Sequence, residues 1–192
     1  MGGGVPTVAG KGPSTLSRTV VLIGMMGAGK TAVGKALAAR LGVPFRDSDA
    51  EIETAAAMSI SEIFERDGEA FFRCRETEVI DRLLSGERSI LSTGGGAFLQ
   101  PRNREIIAQK GVSVWLNADL GLLWNRVKNK DTRPLLRTPD PHATLRSLYE
   151  ARVPIYAQAD IEVVSRPGYT IETMTTRVIE ALAARPGILE PE

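Results

Sequence analysis

An eight-residue segment near the start of the chain constrains its fold more than any other feature. Residues 24–31, Gly-Met-Met-Gly-Ala-Gly-Lys-Thr, match the pattern G-x-x-x-x-G-K-[ST] at every fixed position. The apolar run of residues 19–23 predicts a strand before it, and residues 32–41 have helical periodicity after it. A strand, a glycine loop and a helix N-terminus aim several backbone N–H groups at one point, which predicts a site for the phosphates of a nucleoside triphosphate.

Each residue of this loop has an expected task. The lysine would reach the β- and γ-phosphates, and the threonine hydroxyl would ligate Mg²⁺. The alternative is a glycine-rich turn before an ordinary helix, but the motif and its context agree independently. The residues expected to contact the nucleotide are Met26, Gly27, Ala28, Gly29, Lys30 and Thr31.

Length and composition favour one globular domain and exclude several classes of protein. The chain has 192 residues, a net charge of +1 and no basic block, so we expect no nucleic-acid surface. It has no apolar run near the ~20 residues that a membrane span needs, so we expect no membrane anchor. Cys74 is the only cysteine, which excludes an intramolecular disulfide and agrees with a cytoplasmic location.

Strand-like and helix-like segments alternate along the chain, which predicts a parallel sheet covered by helices. A charged segment with three prolines, residues 128–141, interrupts this alternation and predicts a lid or binding loop. Residues 1–17 are rich in Gly and Pro and predict a disordered tail, and residues 185–192 predict a second tail. The five predicted strands are residues 19–23, 43–49, 89–92, 112–116 and 161–164.

Ligands of open α/β sheets bind at the carboxyl ends of the strands, where two further groups follow the glycine loop. Asp47 and Asp49 end the second strand, and its alternation places both carboxylates on one side. The alternative for one of them is a cap on the next helix. Gly94, Gly95 and Gly96 follow the third strand and predict close approach of backbone to a ligand, the alternative being a plain turn.

Arginines are the usual side chains for clamping carboxylates and phosphates. Arg73 lies in a long predicted helix, Arg133 in the predicted lid, and Arg152 in the helix after it. Any one of them alone is typical of a solvated surface, but together they indicate an anion-binding site.

These motifs resemble those of shikimate kinase, a family in the P-loop nucleoside monophosphate kinase-like group. The glycine loop, Asp-Ser-Asp, Phe-Arg-x-x-Glu, Ser-Thr-Gly-Gly-Gly and Arg-Pro-Leu-Leu occur in the family's order and at similar spacing, from about Arg18 to Ala184. The resemblance implies a three-layer α/β/α P-loop fold over residues 18–184. Its parallel sheet would have five strands in the order 2-3-1-4-5, with a mobile lid.

The resemblance also implies an activity, ATP-dependent phosphorylation of the 3-hydroxyl of shikimate by a monomeric enzyme that uses Mg²⁺. Lys30, Asp49 and Arg133 would be catalytic, with Asp49 orienting the attacking hydroxyl and Arg133 descending with the lid. Thr31 and Asp47 would support the metal. The substrate would be bound by Asp49, Arg73, Gly94, Gly95, Gly96 and Arg152, and the adenine region would include Arg126 and Arg166.

Three rival functions remain open from the sequence. The first is a kinase for another small acid, such as gluconate, against which Arg73, Arg152 and the triple glycine argue. The second is a nucleotide-binding module without activity, against which the intact loop and carboxylates argue. The third is a GTPase, suggested by Asn129-Lys130-Asp131, whose spacing is wrong for guanine recognition.

Overall fold

We describe a computed structural model that covers residues 14–130 and 133–191. Residues 1–13 of the predicted N-terminal tail, together with Asp131, Thr132 and Glu192, lie outside the described residues. The strands are β1 (Ser14–Leu16), β2 (Thr19–Ile23), β3 (Phe45–Asp47), β4 (Ile90–Ser92), β5 (Gly111–Asn117), β6 (Ile161–Val164) and β7 (Leu189–Pro191). The helices are α1 (Lys30–Leu41), α2 (Ser48–Ala56), α3 (Ile60–Asp67), α4 (Glu69–Ser85), α5 (Pro101–Lys110), α6 (Leu120–Val127), α7 (Pro141–Tyr156) and α8 (Ile171–Ala183).

Five strands form one parallel sheet in the order β3-β4-β2-β5-β6. Numbered among the five predicted strands, this order is 2-3-1-4-5, so the expected topology is confirmed. The central strand β2 is buried along its whole length, as expected for a strand covered on both faces. Its carboxyl end feeds the glycine loop, which therefore begins in the middle of the sheet.

Helices pack on the sheet in pairs. α1 contacts α8, and α4 contacts α5, while α1 also lies against β4 and α5 against β5. The main core contains the sheet together with Val33, Leu37, Val178 and Leu182 from the α1–α8 pair. The result is the expected three-layer arrangement, with the site at the carboxyl edge of the strands.

A second, smaller hydrophobic cluster holds α2, α3 and α4 together. Its buried members are Ile52, Ile63 and Phe72, and the Phe64 and Phe72 ring centroids lie 4.8 Å apart. Ser59 begins α3 with a capping box to Glu62, which fixes where this helix starts. Of these three helices, α2 contributes residues to the lining of the cavity described below.

The second predicted strand is shorter than expected. β3 ends at Asp47, and residues 48–56 form the helix α2, which was not predicted. Asp47 is the N-cap of α2, and its Oδ1 accepts hydrogen bonds from the backbone N–H groups of Asp49 (3.0 Å) and Ala50 (3.1 Å). Strand alternation is therefore the wrong reason for placing the two carboxylates together.

The predicted tails also differ from the structure at their inner ends. Ser14–Leu16 pairs antiparallel with Leu189–Pro191, and Leu16 and Ile188 are buried in the main core. Burial of these two apolar side chains is the physical reason why the chain is ordered there. Among the helices of residues 14–130 and 133–191, none combines the length and apolar character that crossing a membrane requires.

Candidate active site

The glycine loop forms one side of a cavity of about 900 Å³ at the carboxyl edge of the sheet. Gly24 (φ 144°) and Gly29 (φ 93°) have positive φ angles, which L side chains rarely adopt. A Cβ on Gly24 would also lie 2.9 Å from the Leu116 carbonyl oxygen of β5. Gly29 begins α1 without a side-chain cap, so the first backbone N–H groups of this helix remain for a ligand.

Lys30 extends from the first turn of α1 into the cavity. Its ammonium donates hydrogen bonds to the carbonyl oxygens of Gly24 (2.7 Å) and Met25 (3.0 Å). Burial lowers the pKa of Lys30 to about 8, and the positive charge of Arg133 adds to this effect. A half-buried cation whose hydrogen bonds go to these neutral carbonyls would gain strongly from an anionic ligand. Thr31 follows it and is exposed to the same cavity.

Asp47 and Asp49 both line this cavity, as expected. Asp47 lies at the end of β3 and is also the N-cap of α2. The two alternatives considered from the sequence, a helix cap and a position in the site, therefore both apply to this residue. Asp49 lies in the first turn of α2. The pKa of Asp49 is raised to about 6, first by burial and then by the negative charge of Asp47, against the opposing charge of Lys30. A carboxylate of this kind is poised to accept a proton near neutral pH.

The triple glycine lies against three of the predicted substrate-binding side chains. A Cβ on Gly94 would lie 2.9 Å from each carboxylate oxygen of Asp49. A Cβ on Gly95 would lie 2.9 Å from Arg152 Nη1, and one on Gly96 would lie 2.6 Å from Arg73 Nη2. The backbone of the triple glycine therefore lies in close contact with one carboxylate and two guanidinium groups. The structure thus brings together residues that lie far apart in sequence.

Arg73 is held by a carboxylate on its own helix. Its Nη1 lies 2.9 Å from Glu76 Oε1, and the Glu76 side chain is 1% exposed. Burial raises the pKa of Glu76, and the charge and hydrogen bond of Arg73 oppose this rise. The motif Phe-Arg-x-x-Glu contains Glu76, but the spacing of the motif does not predict a role for Glu76. The structure shows that Glu76 fixes one edge of the Arg73 guanidinium.

The predicted lid carries Arg133 into the cavity. Arg133 precedes a short 3₁₀ turn, Pro134–Leu136, whose Leu136 is buried in the main core. Arg133 Nε is buried and makes no hydrogen bond within the part of the chain that the structure describes. Such an atom has lost water without gaining a partner, which is a state that a bound anion would relieve.

The far end of the cavity holds one of the two residues predicted near the adenine. Arg126 lines the cavity, donating hydrogen bonds to the Gly27 carbonyl oxygen (3.0 Å) and to Ser165 Oγ (3.3 Å). Arg166 is exposed and lies outside the cavity lining. Sequence reasoning missed several residues that line this end, because they come from the loop before α8 and from α8 itself: Tyr169, Thr170, Ile171 and Met174.

Comparisons with known proteins agree with this geometry. The family profile described as shikimate kinase matches residues 26–183. Shikimate kinase of Ruegeria pomeroyi is 68% identical over 93% of this chain and 92% of its own length. That of Cereibacter sphaeroides is 62% identical over 92% of this chain and 88% of its own length.

The chain belongs to the shikimate kinase family.

A solved structure supports this membership. Shikimate kinase from Acinetobacter baumannii in complex with shikimate has a TM-score of 0.81 and 38% identity, covering 87% of this chain and 93% of that chain. As a member of the shikimate kinase family the chain is an ATP-using kinase, so the module without activity and the GTPase are set aside.

Proposed function

We propose that this chain transfers the γ-phosphoryl group of ATP to the 3-hydroxyl of shikimate, giving shikimate 3-phosphate and ADP. The observation that carries the proposal is the triple glycine, which lies against Asp49, Arg152 and Arg73. Two guanidinium groups suit the single carboxylate of shikimate, and one carboxylate suits its ring hydroxyls. The glycine loop across the cavity suits the triphosphate.

Asp49 and Lys30 perform the central step of the proposed reaction. Asp49 accepts the proton of the attacking hydroxyl while the oxygen of that hydroxyl forms a bond to the γ-phosphorus. The bond between that phosphorus and the β–γ bridging oxygen breaks, and ADP leaves. Lys30 and Arg133 stabilise the charge that spreads over the transferring group.

Thr31 and Asp47 are the residues that would hold Mg²⁺. Both line the cavity, and Mg²⁺ binds proteins through few oxygen ligands while keeping waters and phosphate oxygens. Asp47 Oδ1 receives both backbone hydrogen bonds of the α2 cap, which leaves Oδ2 for the ion or its water. When bound, the ion would neutralise charge on the β- and γ-phosphates.

One chain supplies all the side chains named in this proposal, which supports action as a monomer. We place the enzyme in the cytoplasm, since its single cysteine and its use of ATP agree with that compartment. Sedimentation at several protein concentrations measures the oligomeric state directly.

The experiment that tests the proposed function is ADP release measured with shikimate, quinate and gluconate in turn. We expect rapid turnover with shikimate, and ADP release without an acceptor that is slower by orders of magnitude. Mass spectrometry of the product then verifies the added phosphate. Equal or faster turnover with gluconate would contradict the substrate that we assign.

The pH profile of kcat/KM should be bell-shaped. Asp49 must be ionised to accept a proton, so activity should fall as pH drops through about 6. Lys30 must be charged, so activity should also fall as pH rises through about 8 in the nucleotide-free enzyme. Initial rates at low substrate concentration between pH 5 and 9 check both limbs. A flat profile across this range would contradict the two assignments.

Arg73→Ala should weaken the binding of shikimate by about 2 kcal/mol. This value is the lower end of the loss of binding free energy expected on removing one partner of a buried charge pair. We take the lower end because Arg152 still faces the carboxylate. Arg73→Lys should restore only part of the affinity, since a point charge cannot reproduce the guanidinium fork. Calorimetric titration with shikimate measures the loss.

The matched control for Arg73 is Arg75→Ala on the same helix. Arg75 is exposed and pairs with Glu78 (2.7 Å), and unlike Arg73 it is not among the nearest neighbours of the triple glycine. Its removal should leave shikimate affinity unchanged. A wild-type dissociation constant in Arg73→Ala would refute the carboxylate clamp.

Arg133→Ala should lower kcat more than it raises KM for shikimate. Arg133 faces the phosphate side of the cavity, where charge spreads only as the phosphoryl group transfers. Steady-state kinetics in both substrates measure the split. Lys128→Ala, at an exposed position at the start of the lid and outside the cavity lining, provides the control. A rise in KM for shikimate with kcat unchanged would remove Arg133 from the transfer step.

A further inference from the structure

Tyr156 has a buried hydroxyl that the proposed reaction does not use. It is the last residue of α7, and its side chain is 0% exposed. The ring packs in the main core, with its centroid 6.2 Å from that of Trp115. A phenylalanine would fill the same volume without a polar atom to satisfy, so the hydroxyl needs a separate explanation.

The hydroxyl lies beside two groups of the proposed shikimate site, the Gly95 peptide and the Arg152 side chain. It donates a hydrogen bond to the Gly95 carbonyl oxygen at 2.6 Å. Arg152 lies one helical turn earlier on α7; burial raises the pKa of Tyr156, and the neighbouring Arg152 charge opposes that rise. A Cβ on Gly95 would lie 2.9 Å from Arg152 Nη1 and 3.7 Å from Tyr156 Oη, so both side chains lie close to the Gly95 peptide.

The direction of these bonds follows from the chemistry of the groups. A guanidinium only donates, and a carbonyl oxygen only accepts. The phenol donates to Gly95 and keeps oxygen lone pairs that can accept from Arg152, so it is able to link the two groups. A lone arginine has several rotamers, whereas one fixed by a buried hydroxyl presents its remaining N–H groups in one direction.

We propose that Tyr156 is a positioning residue: its hydroxyl fixes the Arg152 guanidinium against the Gly95 peptide so that both receive the carboxylate side of the acceptor substrate. This inference rests on the proposed function, which places shikimate between Arg152 and the triple glycine. It adds a residue that neither the motifs nor the cavity lining contains.

Tyr156→Phe tests this role, because it removes the hydroxyl and keeps the ring. We expect KM and Kd for shikimate to rise roughly ten-fold, as for the loss of one hydrogen bond to a charged group. KM for ATP should stay at the wild-type value, and kcat should change less than about two-fold, because the nucleotide loop is untouched. Tyr149→Phe, on the same helix but not among the nearest neighbours of the triple glycine, should have wild-type kinetics.

A double-mutant cycle separates positioning from a general structural effect. On an Arg152→Ala background, Tyr156→Phe should add little further loss of shikimate affinity, because the group it positions is already gone. Additive losses, or an unchanged Kd for shikimate in Tyr156→Phe alone, would overturn the inference. Absent turnover of shikimate by the wild-type enzyme would instead contradict the proposed function, so the two failures are distinguishable.

Discussion

Lys30→Ala should reduce phosphoryl transfer by roughly 10³-fold or more. Removal of one neutral donor to a developing charge costs ~10²–10³ in rate, and here a positive charge is lost as well. Lys30 is the half-buried cation of the glycine loop, and its pKa of about 8 leaves it mostly charged at neutral pH. Single-turnover rates at saturating ATP and shikimate measure the loss directly.

Two controls make this result interpretable. Lys30→Met keeps the aliphatic chain and should be as inactive as the alanine variant, which separates charge from packing. Lys35→Ala, on the exposed side of the same helix, should retain activity. Circular dichroism should show the native fold in all three variants. Near-wild-type turnover in folded Lys30→Ala would contradict the phosphate-binding role of the whole loop.

The sheet was predictable from sequence because most of its strands have a clear local sequence pattern. β2, β4, β5 and β6 are apolar runs bounded by polar or glycine residues, and each is followed by a segment of helical periodicity. The helix α2 was not predictable in this way, because Ile52 is its principal buried apolar side chain and gives no stripe. The better signal was Asp47-Ser48-Asp49 itself, since Asp and Ser favour helix N-caps.

Local sequence patterns do not predict the strand pair formed by the two ends of the described chain. Ser14–Leu16 and Leu189–Pro191 are short and have no periodicity, and they pair across nearly the whole length of the chain. Besides their mutual pairing, the packing of Leu16 and Ile188 into the main core stabilises them there. Composition alone therefore indicated tails at both ends.

Glu76 and Tyr156 illustrate what the motifs leave out of the candidate site. Each lies three or four residues after a predicted substrate-binding arginine, a spacing that places the pair on one helix face. That spacing is equally typical of a solvated ion pair or of a core aromatic. Only the burial of the Glu76 carboxylate and of the Tyr156 hydroxyl distinguishes a supporting role, and burial depends on the packing of other elements.

A matched variant on α2 is available for the remaining prediction, which concerns Asp49. Glu51 lies on the same helix and pairs with Arg82 (3.1 Å), outside the cavity lining. Glu51→Gln also replaces a carboxylate by an amide. It should retain wild-type turnover, so any loss in an Asp49 variant reports on the cavity rather than on the charge of the helix.

Asp49→Asn should lower kcat ~10²–10⁴-fold, the usual cost of losing a positioned base. The amide has nearly the shape of the carboxylate, so its contact with Gly94 and the start of α2 should be preserved. It cannot accept the proton of the attacking hydroxyl, and the acid limb near pH 6 should disappear from the residual activity. The dissociation constant for ATP should stay near the wild-type value, because Asp49 faces the triple glycine. Fluorescence titration with a nucleotide analogue and steady-state rates at saturation measure the two quantities separately. Weakened nucleotide binding with turnover retained would assign Asp49 to the nucleotide side and leave the attacking hydroxyl without a base.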